Sequence, residues 1–193
     1  MSESDRLSWT SKNIDAADSQ VLAQIIAVGA LPNLIGLSLH DTRIGDVGMR
    51  SLSEAFSMGG LAQLLSLELA CNEIGDAGMS ALFDAISTGA LARLEQLGLT
   101  DTQISDECLK SLAEAISTGT LAQLKYLALA SAVLFGDAGL SALANAFAKG
   151  ALPSLKTLWI VNGISHNALE LGQLKAISQA RGILLLRRID DWH

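Results

Sequence analysis

The chain has 193 residues, a net charge of −7, 50% hydrophobic residues, 2 Pro and 1 Tyr, which excludes a disordered or collagen-like chain and leaves room for one folded domain. Its 13 basic residues are scattered among 20 acidic ones, so no surface concentrates Lys and Arg as a nucleic-acid phosphate backbone requires. No apolar run approaches the roughly 20 residues that cross a bilayer, and the opening MSESDRLSWT has no apolar signal core; the expected location is intracellular, cytoplasmic by default, and an organelle would require a presequence already removed.

In chain order the elements repeat. Residues 1–30 place Leu7 and Trp9 at strand positions, Ile14 at a bend and Leu22 and Ile26 on a helix face, and read as a degenerate N-terminal cap. Residues 31–60, 61–90, 91–120 and 121–151 are regular repeats. In the second of them, Leu64, Leu67 and Leu69 alternate as in a strand, whereas Met79, Leu82 and Ile86 follow at helical spacing. The other strand pairs are Leu37 with Leu39 and Leu97 with Leu99, followed by Ile44 and Ile104. Asp46, Asp76, Asp106 and Asp137 stand where each helix begins, and are assigned to helix capping. The repeat starting at Leu121 carries one extra residue within 131–136. Residues 152–182 form the last repeat, with a changed turn at 162–167 and Leu171, Leu174 and Ile177 on its helix face; residues 183–193 supply a C-terminal cap strand followed by charges that discourage edge pairing.

Gly29, Gly59, Gly89, Gly119, Gly150 and Gly182 recur at spacings of 30, 30, 30, 31 and 32 residues. Glycine suits the left-handed residue that closes a helix. A period of this length, one strand and one helix per unit, means a solenoid. One unit buries about eight apolar side chains at roughly 2 kcal/mol each, while ordering thirty residues costs roughly 1 kcal/mol or more apiece, so a unit folds only against its neighbours. Strands pack closer than helices, which puts a parallel sheet on the inner side of an arc and the helices on its convex side.

With the leucines turned inward, alternate strand residues face the concave side. Most are small. Tyr126 and Trp159 are the large ones; they lie on neighbouring strands, offset by two residues and so roughly 8 Å apart. Aromatic residues at interface centres carry disproportionate binding energy, so Tyr126, Trp159 and Val161, rimmed by Leu134 and Phe135, form the expected partner site. The plain alternative covers Trp159 with the C-terminal tail and uses Phe135 or Leu134 in the place of Ile74. His40, Asp41, Glu68 and Glu73 are expected to form a polar rim. Ser38, His40 and Asp41 contain triad residue types, but consecutive positions on an open strand supply neither the orienting chain nor the enclosed pocket of a hydrolase. No catalytic residue, cofactor site or metal site is expected: His166 and His193 are isolated, and Cys71 and Cys108 read as reduced thiols. On the outward helix face, Ser80, Ala81, Asp84, Ala85, Ser141, Ala142, Asn145 and Ala146 are small, which suits either a close contact or simply a good helix former facing solvent.

Leu64, Leu67, Leu69, Asn72 and Ile74 match the leucine-rich-repeat pattern L-x-x-L-x-L-x-x-N/C-x-L. With its period near 30 and the phrase Ile74-Gly75-Asp76-Ala77-Gly78, the chain resembles the ribonuclease-inhibitor-like class. Thr42 and Thr102 depart from the pattern where it has Asn. The wording LPSLKTLWI with LKAISQARGI is also similar to repeat proteins of unicellular algae and protists. The resemblance implies an α/β leucine-rich-repeat solenoid, a short horseshoe arc, acting as a non-enzymatic scaffold that binds a protein by its concave face or helix backs. Two alternatives stand beside it. A charged fraction of 17% and a mean hydropathy of +0.37 suit a structural peripheral subunit of a larger assembly, including one at a membrane; relatives of the fold also include regulators of GTPases and signalling enzymes.

Overall fold

The computed structural model describes residues 5–129, 136–160 and 168–186. Strands and helices alternate: β1 (Arg6–Ser8), α1 (Ala16–Ala27), β2 (Gly36–Ser38), α2 (Gly45–Ser57), β3 (Ser66–Glu68), α3 (Asp76–Ser87), β4 (Gln96–Gly98), α4 (Asp106–Ser117), β5 (Tyr126–Ala128), α5 (Asp137–Ala148), β6 (Thr157–Trp159), α6 (Ala168–Ala180) and β7 (Leu184–Leu186). The strands form one open seven-stranded sheet in sequence order, and every neighbouring pair is parallel. Strands stack about 4.8 Å apart and helices about 8–10 Å apart, so the sheet lines the inner side of the arc.

Register explains the core. Leu7, Leu37, Leu67, Leu97, Leu127, Leu158 and Leu185 meet side by side across the sheet. Against the buried ones pack Met49, Leu52 and Phe56 of α2, Met79, Leu82 and Ile86 of α3, and their equivalents in α4 and α5, all buried in one cluster. The helices stop in the same way, except that at the end of α4 the second bond comes from Thr120 Oγ1, which donates to Ala115 O at 3.0 Å. At the end of α3 the Gly89 amide donates to Ile86 O at 2.9 Å and the Ala90 amide to Ala85 O at 3.1 Å, the paired bonds of a Schellman motif with Gly89 at φ 95°. The turn then asks Leu91, Leu121 and Leu152 to take φ near 50–58° as well, a conformation costing roughly 1 kcal/mol outside glycine and held here by burial of the leucine.

The capping expectation needs a correction. Asp46 and Asp106 do not cap their own helices; each caps the helix of the next unit. Asp46 Oδ1 accepts from the Gly75 amide at 2.8 Å and the Gly78 amide at 3.0 Å, at the start of α3. Asp106 Oδ1 does the same for Gly136 and Gly139 of α5, at 2.6 and 3.0 Å. The carboxylate therefore sits beside two helix N-termini, both of which attract it. Glycine is required opposite it, because a Cβ on Gly78 would stand 2.8 Å from Asp46 Oδ1 and one on Gly139 2.7 Å from Asp106 Oδ1. Where the unit carries Ser105 and Cys108 instead, Ser105 caps α4 itself by accepting from Glu107 N and Cys108 N, and its hydroxyl donates to Asp76 Oδ2 at 2.8 Å. Helix α1 likewise caps itself, through Asp15.

The outward face is corrected too: Ala85 and Ala146 are buried, not presented to solvent. They lie where one helix meets the helix before it, and alanine allows that close approach.

Candidate functional site

The concave face is built of side-chain rows running across the strands. One row runs Gly36, Ser66, Gln96, Tyr126, Thr157, and the next runs Ser38, Glu68, Gly98, Ala128, Trp159. Tyr126 and Trp159 thus occupy diagonal positions on β5 and β6, both half-buried. Gly98 and Ala128 make a low floor beside them, and Glu68 stands at its far side.

Glu68 is the carboxylate set into this face. Its Oε1 accepts from the Ala70 amide at 3.1 Å, and its carboxylate lies across Gly98, in the volume a Cβ there would claim. Burial pushes its pKa up, opposed by the Ala70 hydrogen bond and by His40. Burial also raises Tyr126, and the Glu68 charge adds to it. The Glu68 charge is thus felt by Tyr126 on β5, and that of His40, on the β2 side, by Glu68. The folded protein holds the Glu68 proton to higher pH than the unfolded chain does, so stability is lost as pH rises through the range just above the ordinary carboxylate value. Glu68→Gln keeps an acceptor for Ala70 and removes the charge. It is expected to raise Tm at neutral pH and to leave Tm nearly unchanged in acid; an equal shift at every pH would assign the effect to packing.

A second acidic group lies on the adjoining turns. Ser11, Asp41, Cys71 and Asp101 hold the same turn position in successive units, each with φ between 51° and 56°. Asp tolerates this conformation better than Cys does. Cys71 Sγ lies 3.8 Å from Asp101 Oδ2, and its thiol is raised by burial first, then by Asp101, Asp41 and Glu68. Cys108, in the first turn of α4, is buried, and desolvation with Asp76 nearby pushes its thiol up to about 12. Both cysteines are free thiols, and neither has the lowered pKa of a nucleophile.

Below the turns, Asn72 is buried and bridges two units. Its Oδ1 accepts from Thr42 N at 3.0 Å and Thr42 Oγ1 at 3.1 Å, and its Nδ2 donates to Leu39 O at 2.7 Å and Leu69 O at 2.9 Å. The Thr42 and Thr102 hydroxyls also reach back to their own strands, donating to Leu39 O and Leu99 O.

The sequence model of the family described as Leucine Rich repeat matches residues 63–83, from just before β3 into α3. The fold is a leucine-rich-repeat solenoid. No curated protein matches the chain.

In this leucine-rich-repeat arc, the sequence-derived site residues fall as follows. Tyr126 and Trp159 come together on the concave face, whereas Val161, Leu134 and Phe135 lie outside the described residues. Of the polar rim, Asp41 and Glu73 are exposed on turns, His40 is half-buried, and Glu68 lies on the floor. Asp101 and Cys71 were not singled out with them; the signal that joins them to Asp41 is the spacing of 30 residues at a turn position. Ser38 Oγ lies 3.3 Å from Thr10 Oγ1 rather than in a bond to His40. Among the described residues no three His, Cys, Asp or Glu side chains gather to hold a metal ion, and no helix is long and apolar enough to cross a membrane.

Proposed function

We propose that this chain is a non-enzymatic protein-interaction scaffold that holds its partner on the concave face, with Tyr126 and Trp159 as the anchors and Glu68 as the charged group between them and His40. The observation that supports it is the pairing of two large aromatic side chains, diagonal on β5 and β6, beside a floor lowered by Gly98 and Ala128. A partner side chain entering there meets aromatic surface on one side and a carboxylate on the other, the combination that gives interface hot spots their energy. Leucine-rich repeats in general serve as interaction modules, which is the same direction. We read residues 1–193 as one domain in which 1–30 and 183–193 act as caps, and Val161, Leu134 and Phe135 as extending the aromatic patch. The location we propose is inside the cell.

Partner recovery tests this reading. Trp159→Ala and Tyr126→Ala are each expected to weaken binding of the natural partner by tenfold or more, about 1.4 kcal/mol or above, while Asp84→Lys on the helix backs leaves it unchanged. Full binding by both aromatic variants, with loss in Asp84→Lys, would move the site to the convex face. A second reading, a fixed subunit of a larger assembly, is favoured by the exposed Val21, Val28, Val47 and Met58 at one end of the arc; it predicts co-sedimentation with a large particle.

A further inference from the structure

The joints between helices are of two kinds. Two residues after its first-turn aspartate, α2 carries Gly48, α3 Gly78 and α5 Gly139, and at each of them the preceding helix comes too close for a side chain. A Cβ on Gly48 would stand 2.9 Å from Ser19 Cβ of α1, one on Gly78 3.1 Å from Asp46 Cα of α2, and one on Gly139 3.0 Å from Leu109 Cβ of α4, where ordinary contact is about 3.5–4.0 Å. Helix α4 has Cys108 at that position, 3% exposed, with Asp76 of α3 acting on its thiol. The side chain holds α4 off α3 by roughly 0.5–1 Å more than the glycine joints allow. The clasps divide in the same way: Asp46 holds two amides at the start of α3 and Asp106 two at the start of α5, whereas Asp76, among the described residues, accepts the Ser105 hydroxyl alone. The sheet side of this joint is complete. Strands β3 and β4 pair in full register, and the Leu69 amide donates to Gly98 O and the Cys71 amide to Thr100 O, both at 2.9 Å.

From this we infer that the arc flexes at the α3–α4 joint: the two helices part while β3 and β4 stay paired, and the units from β1 to α3 swing as one block against those from β4 to α5. In a solenoid each unit touches only its neighbours, so one weaker joint localises the motion. Opening there costs less than global unfolding, since the strand bonds survive it and only one interhelix contact is lost. Because the sheet is the tied side, parting of the helices changes the curvature of the arc. Glu68 belongs to the first block, and Tyr126 and Trp159 to the second. On the concave-face reading proposed above, on which this consequence rests, the joint sets the separation between the carboxylate and the aromatic pair and fits the arc to its partner.

Cys108 is buried in the joint and reports its opening. In a Cys71→Ser background of the full chain, iodoacetamide is expected to label Cys108 at least about tenfold faster than the globally unfolded population allows, with less than half the urea dependence of global unfolding. Ser53→Cys, in a Cys71→Ser, Cys108→Ala background, is the control: Ser53 is 3% exposed and lies on α2 beside the clasped joint with α3, so its thiol is expected to react only on global unfolding. A second arm restores the glycine pair. With spin labels at Glu54 and Asn145, Ser105→Gly with Cys108→Gly is expected to give a shorter and narrower distance distribution than a Cys108→Ser reference, which keeps a side chain in the joint. Should the glycine pair fail to fold, the labelling comparison decides alone. Protection of Cys108 down to the global limit, equal labelling at Ser53→Cys, or a distribution no narrower in a folded glycine-pair variant would overturn the inference. Neither arm uses a partner, so a joint that opens as expected while Trp159→Ala and Tyr126→Ala bind in full would overturn the concave-face reading and leave the flexing joint in place.

Discussion

Asn72→Ala is expected to lower the free energy of unfolding by about 3 kcal/mol, measured as a shift in urea midpoint at unchanged slope. The side chain is 3% exposed, and its removal deprives the Thr42 amide and the Leu69 carbonyl of this partner while Leu39 O keeps only the Thr42 hydroxyl. Each buried group left without a partner costs roughly 1–3 kcal/mol. Asn72→Thr is expected to cost clearly less. A threonine there repeats what Thr42 and Thr102 already do, bonding its own strand, and gives up the bridge to the unit before it. Equal losses for Ala and Thr would assign the whole effect to the bridge and none to the bond with the residue's own strand.

Gly60→Ala is the second large effect, and its sign runs against sequence comparison. The equivalent positions hold Ala30, Ala90, Thr120 and Ala151, so alignment of the units recommends alanine, and replacing glycine ordinarily stabilises by reducing the freedom of the unfolded chain. Here a Cβ would overlap the Ile26 carbonyl oxygen and stand 2.8 Å from its carbon. That neighbour is backbone at the end of α1 and has no rotamer to give. The expected outcome is destabilisation by about 2 kcal/mol with a lower Tm. Gly89→Ala serves as the contrast, since nothing lies within 4 Å of a Cβ there and only the left-handed φ of 95° opposes it.

These two residues also mark what was legible in the sequence. The leucine rows, the helix faces and the helix-ending glycines could be read because each recurs at one spacing, and a recurring residue reports a recurring environment. The asparagine was readable as a pattern match, but the bridge it makes depends on Thr42 of the previous unit. Contacts between units were where reading failed. Asp46 and Asp106 look like caps of their own helices because capping is normally local; the true signal was the pairing of Gly75 with Gly78 and Gly136 with Gly139, against Ser105 with Cys108. Ala85 and Ala146 looked outward by period alone, since helical spacing gives a face but not the neighbour that covers it. The left-handed Leu91, Leu121 and Leu152 carried no signal, because a buried leucine there is indistinguishable from one at a strand start.

The concave face divides in the same way. Alternation along β5 and β6 and the one-residue insertion together give the diagonal of Tyr126 and Trp159. The embedding of Glu68 does not follow from its own strand. It rests on the missing side chain of Gly98, thirty residues on, which leaves room for the carboxylate to lie across the next strand and lose water. A rim position and a floor position share one strand pattern and differ only in what the neighbouring unit omits.

Electron–electron distances between spin labels test the stacked arrangement directly. Labels at Glu54, Glu114 and Asn145 sit on exposed positions of α2, α4 and α5, two and three helices apart along the convex side. With neighbouring helices about 8–10 Å apart, the 54–114 distance is predicted near 20 Å and the 54–145 distance near 30 Å. A 54–145 distance equal to or shorter than the 54–114 distance would contradict the solenoid.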